Sequence, residues 1–327
     1  MTTSSHLKAA AKRKDDEFYT LPADVERINA LILEADPYSF AGRTVMCPCD
    51  DPDRSEWTRY YEANLRRLGL LRVISTCYRP GGRGRVRITG PDGVERDGLL
   101  DGDGGFQTPE VTDLARQADI IATNPPFSLM RAFIPWAMAG HRIITVMPLT
   151  AFGYNAVIPY FAQGRLHATG KVKTFLRPDG STARLPDAMS VTDMRSATGN
   201  TPLPLPATRD VRGELRRLDT GMMEARSYRL IPGDFDAPLA VPINALEHID
   251  QSKFEVLGKN RPTLADGRRL FQRIVIRRRT RPVVPVPPKA TIWNKRGTKT
   301  ITSPGPDWTP SQNIYSIHSG NVDKTLM

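Results

Sequence analysis

The stretch from residue 24 to 164 alternates between helix-spaced and strand-like runs, and this alternation constrains the fold more than any other feature. Val25, Ile28, Leu31 and Ile32 fall on one face of a helix predicted over 23–35. A short strand follows at 43–46. Ser55 is placed to cap a helix carrying Trp57, Tyr60, Tyr61, Leu65 and Leu68 on one side, and Gly69 to end it. A second strand is predicted at 71–76, then a hairpin over 86–99 turning at Gly90-Pro91-Asp92-Gly93. Thr108 and Pro109 open a helix to about residue 117. Strand 119–123, helix 128–139 and strand 142–147 complete the series. Strands separated by helices of this length imply parallel βαβ units. In such sheets ligands gather at the carboxyl ends of strands.

Beyond about residue 171 the pattern changes. Pro and Gly are frequent, strand-like runs are short, and helical spacing survives only over 212–217 and 245–250. The expected fold is therefore α/β, with a Rossmann-like domain of mainly parallel sheet over 1–170. Its first thirteen residues read as a disordered tail. A smaller, irregular α+β domain is expected over 171–327.

Charge sharpens the reading. The chain carries a net +11, yet 259–299 alone holds thirteen Lys and Arg against one acid, Asp266. Outside that stretch the chain is nearly neutral. Such concentration is the footprint of a polyanion-binding surface, with a solvated basic face as the alternative. Arg273, Arg277, Arg278, Arg279, Arg281, Lys295 and Arg296 are its candidate phosphate contacts. No apolar run reaches the ~18–20 residues that span a bilayer, and no apolar segment follows the basic N-terminus. A cytoplasmic chain with no membrane contact is expected. Cys47, Cys49 and Cys77 lack the second ligand pair of a zinc site, so buried thiols are expected and no metal.

The sharpest chemical signal is Asn124-Pro125-Pro126-Phe127, directly after the apolar strand. The Asn124 side-chain oxygen and the Pro125 carbonyl can both accept from one planar NH₂ group. Pro125 and Pro126 stiffen the loop, and Phe127 offers a flat face for a flipped base. A tight strand-to-helix turn capped by Ser128 is the structural alternative.

The tetrapeptide resembles the catalytic motif of amino-group DNA methyltransferases. Cys47-Pro48-Cys49-Asp50-Asp51-Pro52 resembles the Cys-x-Cys-Asp-Asp-Pro block of EcoRI-type adenine-specific methyltransferases. Lys14 to Thr20 resembles a segment that folds over S-adenosylmethionine, and Asp101 to Phe106 an acidic Gly-rich block of that family. Val191 to Met194, Ile231 to Phe235 and Val241 to Ile243 extend the likeness, which covers about 14–260.

The resemblance implies an S-adenosylmethionine-dependent methyltransferase acting on the N6 amine of a flipped-out adenine in double-stranded DNA. It implies catalysis by Asn124, Pro125, Pro126 and Phe127. It implies cofactor contacts from Phe18, Tyr19, Thr20, Cys47, Asp50, Asp51, Asp103 and Phe106, with 171–327 as the target-recognition part. A monomer is expected, and a cognate restriction endonuclease is a partner that the residues themselves do not reveal. Bland readings stand beside these. Asp50 and Asp51 could form a turn that caps the next helix, Asp103 a surface turn, and Phe18 and Tyr19 an anchor for the N-terminus. The sequence departs from the pattern at Gly105, at Ser75-Thr76-Cys77, where a ribose-binding acid is missing, and in the insertion 79–98. RNA or protein-glutamine methylation, or a DNA-binding protein without catalysis, are the rival functions.

Overall fold

The computed structural model describes residues 18–177, 179–197, 204–250, 253–279, 291–293 and 299–301. Its centre is a nine-stranded sheet built from β1 (Tyr19–Thr20), β2 (Thr44–Cys47), β3 (Arg72–Cys77), β4 (Arg85–Gly90), β5 (Gly93–Leu99), β6 (Ile120–Thr123), β7 (Arg142–Pro148), β8 (His167–Leu176) and β9 (Thr182–Thr192). The spatial order is β1-β8-β9-β7-β6-β2-β3-β4-β5.

Alternation along the central strands assigns each side chain to one of two cores. Val45, Ile120, Ala122, Ile144 and Val146 face the apolar side of α1 (Pro22–Ala35), α2 (Glu56–Ala63) and α3 (Leu65–Leu68). Met46, Ile121, Ile143 and Met147 face α4 (Pro109–Ala115) and α5 (Met130–Ala137). Both faces are covered, which is why β2 and β6 are buried at every position. The helix ends follow local chemistry. Ser55 accepts from the Trp57 amide, Thr108 from that of Val111, and Pro22 and Pro109 open their helices. Gly69 ends α3 at φ 65°, a left-handed conformation that favours glycine.

The structure corrects the expected sheet. Only β7, β6, β2 and β3 run parallel. The other described strands of this sheet pair antiparallel, because the 79–98 insertion adds β4 and β5 at one edge and a long β8–β9 hairpin adds to the other. That hairpin has strands of 10 and 11 residues, not the short runs expected beyond residue 171. The expected boundary at 170/171 falls inside β8.

The C-terminal part forms a second sheet, ordered β10-β11-β12-β14-β13, from β10 (Arg216–Arg217), β11 (Met223–Glu224), β12 (Leu239–Pro242), β13 (Phe254–Asn260) and β14 (Arg273–Arg278). The helical spacing over 212–217 resolves instead into a 3-10 turn at Arg212–Glu214 and the strand β10. The two sheets share one core, in which Leu239, Val241, Ile274 and Ile276 join Phe152, Phe161 and Met189. A two-stranded ribbon, β15 (Thr291–Trp293) with β16 (Lys299–Ile301), completes the described strands. Among the described residues no helix is long and apolar enough to cross a membrane.

One charge fastens the second sheet. Glu224 is fully buried, accepting from Arg216 Nε at 2.7 Å and Arg273 Nε at 3.0 Å. Two guanidinium groups hold its carboxyl below the usual range against the opposing effect of burial. Glu224→Ala strands both arginines, Arg273 the more deeply. The expected loss is about 3 kcal/mol, the low end for a broken buried pair because Arg216 keeps some solvent. Urea unfolding of the variant against wild type measures it.

Candidate active site

The parallel strands β2 and β6 are neighbours, so the segments after them emerge side by side at one sheet edge. After β2 the chain turns through Cys47 to Pro52, and Asp50 is pulled inward. Its side chain is only 3% exposed. Ser55 Oγ donates to Asp50 Oδ1 at 2.6 Å, and Thr123 Oγ1, the last residue of β6, donates to Oδ2. The Asp50 amide donates to Thr76 O at 3.0 Å, and its carbonyl accepts from Ser75 Oγ at 2.7 Å. Thr145 Oγ1 donates to Thr123 O at 2.9 Å. One residue thereby touches the ends of β2, β3 and β6 and the start of α2.

Burial pushes the Asp50 carboxyl up to about 7, and the hydroxyl bonds from Ser55 and Thr123 only partly offset it. Among the described residues no Lys or Arg pairs with it. Burial, then the nearby Asp50, push the Cys47 and Cys49 thiols well up. Asp51 does different work. Its Oδ1 accepts from the Asp53 amide at 2.9 Å and its carbonyl from the Ser55 amide at 2.9 Å, forming the turn into α2. Its Oδ2 lies 3.8 Å from Arg79 Nη2. Asp51 thus occupies the turn, while Asp50 is the buried carboxyl.

After β6, Asn124 Nδ2 donates to the Phe18 carbonyl at 2.6 Å. That bond fixes the amide's rotation. Its Oδ1 is buried and has no hydrogen-bond partner among the described residues, a costly arrangement for a polar atom unless a ligand satisfies it. Pro125 is buried beside it. Phe127 opens a 3-10 turn, Phe127–Leu129, so the helix begins at Met130 and not at Ser128. Its ring lies 6.3 Å from that of Phe18 and 6.1 Å from that of Phe175. Tyr19 and Thr20 pair with Leu176 and Phe175, and Thr20 Oγ1 accepts from Trp57 Nε1 at 3.2 Å. The N-terminal strand is therefore both an anchor and one wall of the Asn124 site. Lys14 to Glu17 lie outside the described residues.

The acidic Gly-rich block sits beside the end of β3, where Asp103 is exposed and its carbonyl accepts from the Arg79 amide at 2.8 Å. Gly104 has φ 78°, and a Cβ there would meet Cys77 O at 2.2 Å. The Phe106 ring is buried edge-on against Phe133 and Trp136, at centroid distances of 5.4 and 5.2 Å, in the core beneath the block. The insertion that the sequence leaves without a role clamps the Asp50 turn. Arg85 and Arg87 of β4 bind both Asp53 and Asp97, and Arg87 Nη1 donates to Pro52 O at 3.1 Å. Thr123 and Ser75 are further residues that the sequence does not single out for this site, hydroxyls at the ends of apolar strands being their only signal, while Ser55 is legible as a helix cap but not as a partner of Asp50.

The profile of the family described as adenine-specific methyltransferase EcoRI matches residues 6–179, more than half of the chain. The chain belongs to that family. It is 31% identical over 163 residues to the Type II methyltransferase M.MpnI of Mycoplasma pneumoniae, covering 49% of each chain. It is 30% identical over 168 residues to M.MgeORF184P of Mycoplasma genitalium, covering 49% of this chain and 50% of that one. The chain thus spans about half the length of these two relatives. Against the Type II methyltransferase M.EcoRI of Escherichia coli it is 26% identical over 296 residues, 78% of this chain and 89% of that one. No solved structure gives a significant match.

The basic stretch of this EcoRI-family chain is less bare than its sequence suggests, because acids arrive from elsewhere. Arg273 meets Glu224 inside the second sheet, so the structure places it in a buried ion pair and not on a free surface. Arg277 pairs with Glu255 at 2.6 Å and Arg278 with Asp236 at 3.6 Å, and both remain about half exposed. Arg279 Nε donates to Phe254 O at 3.2 Å. Arg281, Lys295 and Arg296 lie outside the described residues.

Asp50 gives the EcoRI-family site a pH signature. The folded chain keeps this proton up to about pH 7, whereas the ordinary carboxyl releases it near 3.8. Folding is therefore favoured at the acid end of that window and loses stability as pH rises through it, by at most ~1.4 kcal/mol per pH unit. Thermal unfolding across the window measures this slope. In Asp50→Asn the slope is expected to flatten.

Proposed function

We propose that this chain is an S-adenosylmethionine-dependent DNA methyltransferase that modifies the N6 amine of an adenine flipped out of the duplex. The observation that carries the reading is the buried Oδ1 of Asn124, without a hydrogen-bond partner among the described residues, whose amide is already oriented by its bond to Phe18 O. An exocyclic NH₂ offers two donors in one plane, one for Oδ1 and one for the Pro125 carbonyl. Drawing those protons returns lone-pair character to a nitrogen otherwise conjugated with the ring. A preorganised acceptor needs no rearrangement as charge develops. The partly buried ring of Phe127 gives the base a face to stack on. Flipping costs a few kcal/mol, which the pocket must return.

The residues also fit the cofactor. A buried carboxyl without a basic partner, at the carboxyl end of β2, suits a cationic group such as the ammonium of the methionine moiety. Asp103 offers an acceptor for an adenine amine at the neighbouring strand end. When bound, S-adenosylmethionine would supply a methyl group on a sulfonium, an electrophile that is already activated. The protein's task is then alignment. Asp50 and Asn124 are tied through Thr123, so the two binding segments share one frame. The relatives, named as Type II methyltransferases, support DNA as the substrate and a restriction-modification setting.

The direct test incubates the full chain with cofactor and unmodified genomic DNA, followed by modified-base sequencing. N6-methyladenine within one short sequence is expected. Methylation of RNA or protein alone, or none, contradicts the proposal. Asn124→Ala should lower turnover by ~10²–10³ while calorimetry finds cofactor affinity nearly unchanged.

Arg277 and Arg278 are proposed to lie against phosphates, since their partners Glu255 and Asp236 are accessible enough to be exchanged for DNA. Changing both to Gln should weaken binding to every duplex and flatten the log–log salt slope by up to ~2. Binding isotherms at several salt concentrations read the slope directly.

A further inference from the structure

The loop joining β13 to β14, residues 261–272, is held firmly yet presents a large apolar side chain to solvent. Thr263 and Arg269 form an antiparallel bridge across it, and the Leu270 amide donates to Pro262 O at 2.9 Å. Leu264 is buried against Leu218 and Ala240, and Leu270 packs on the same small cluster. Phe271, next in line, is 89% exposed. A held loop that leaves a phenyl ring in water forgoes a sizeable burial gain. Its neighbours Arg261, Arg268 and Arg269 are exposed too, so the ring stands among cations. The loop's one acid, Asp266, lies 3.6 Å from Arg268.

The base of this loop is fixed beside the active site. Gln272 Nε2 donates to Gly153 O at 2.9 Å, and Lys259 Nζ donates to the same carbonyl. A Cβ at Gly153 would meet Gln272 Nε2 at 2.5 Å, so a larger residue there would displace the Gln272 side chain from this position. Gly153 ends the turn Leu149–Gly153 that follows β7, and β7 runs parallel to β6, whose end carries Asn124. The two turns therefore leave the same edge of the sheet. Arg131 of α5 places its guanidinium 3.8 Å from the ring centroid of Tyr154, the residue after Gly153. The charges of Arg131 and Arg261 both bear on Lys259. Cations from the catalytic loop's helix and from the hairpin thus converge. Tyr38, also highly exposed, precedes β2 and lies at the opposite edge of the parallel strands.

We propose that Phe271 is a wedge that enters the DNA stack and fills the space vacated by the flipped adenine, while the arginines around it hold the flanking phosphates. The proposal rests on the base-flipping reading above. Apolar side chains inserted between base steps are an established device for unstacking a duplex, and a flat ring restores part of the stacking that is lost. The hairpin then makes Phe271 a positioning residue: it acts on the duplex, not on the reacting amine.

The test uses the full chain and a duplex carrying the recognition sequence found in DNA methylated by the wild type. A second duplex places the target adenine opposite an abasic site, where flipping costs little. Phe271→Ala is expected to lower kcat/KM on the paired duplex on the order of tenfold or more, the scale of one lost aromatic–base stack. It should lose little on the abasic duplex, and Phe271→Trp should restore activity on the paired one. Unchanged S-adenosylmethionine affinity by calorimetry shows that each variant is folded. Equal losses on both duplexes, or no loss on the paired duplex, would overturn the wedge. A wild type that methylates neither duplex would instead overturn the functional reading beneath it.

Discussion

The buried carboxyl of Asp50 holds the active-site edge together. It joins the turn after β2 to the first turn of α2 through Ser55, to β6 through Thr123, and to β3 through its own backbone. Both hydroxyls that donate to the carboxyl are buried, so removing it would leave two donors unsatisfied at once. Thr123 immediately precedes Asn124. The orientation of the Asn124 loop therefore depends on a residue of the turn proposed to hold the cofactor. A carboxyl this deep without a basic partner is poised for a cation, and binding one would favour its ionised form.

Much of this was legible in the sequence where local chemistry dominates. The Ser55 and Thr108 caps, the Gly69 stop and the Gly90 to Gly93 turn stand as the residues predict, because each is decided by a few neighbouring side chains. The strand carrying the Asn124 loop was readable from its apolar run and the prolines after it. What could not be read depends on distant partners. Spacing alone cannot say that β8 and β9 fold back as a hairpin onto β7, so the boundary expected at 170/171 falls inside β8. The resemblance implies a cofactor contact at Phe106, and nothing local in the sequence shows that its ring packs against Phe133 and Trp136. Arg273 reads in sequence as a candidate phosphate contact within a basic stretch, and only the fold shows that Glu224 meets it across the sheet.

The additions to the parallel core serve one edge. The β4–β5 insertion braces the Asp50 turn through Arg85 and Arg87, which share Asp53 and Asp97. The second sheet reaches the same edge through Lys259 and Gln272 on Gly153. Because the sheets share a core, the second sheet and the Asn124 loop are positioned by one packed body. That rigidity suits a reaction in which alignment supplies most of the rate.

A double-mutant cycle between Asp50 and Thr123 tests the central link most directly. Asp50→Ala, Thr123→Val and the combination would be compared in cofactor affinity and methyl-transfer rate. If the carboxyl and hydroxyl form one unit spanning both binding segments, the single changes overlap, and the coupling exceeds about 1 kcal/mol in both quantities. Losses that add to within about 0.5 kcal/mol would mean that the two segments are positioned independently, and would contradict the account.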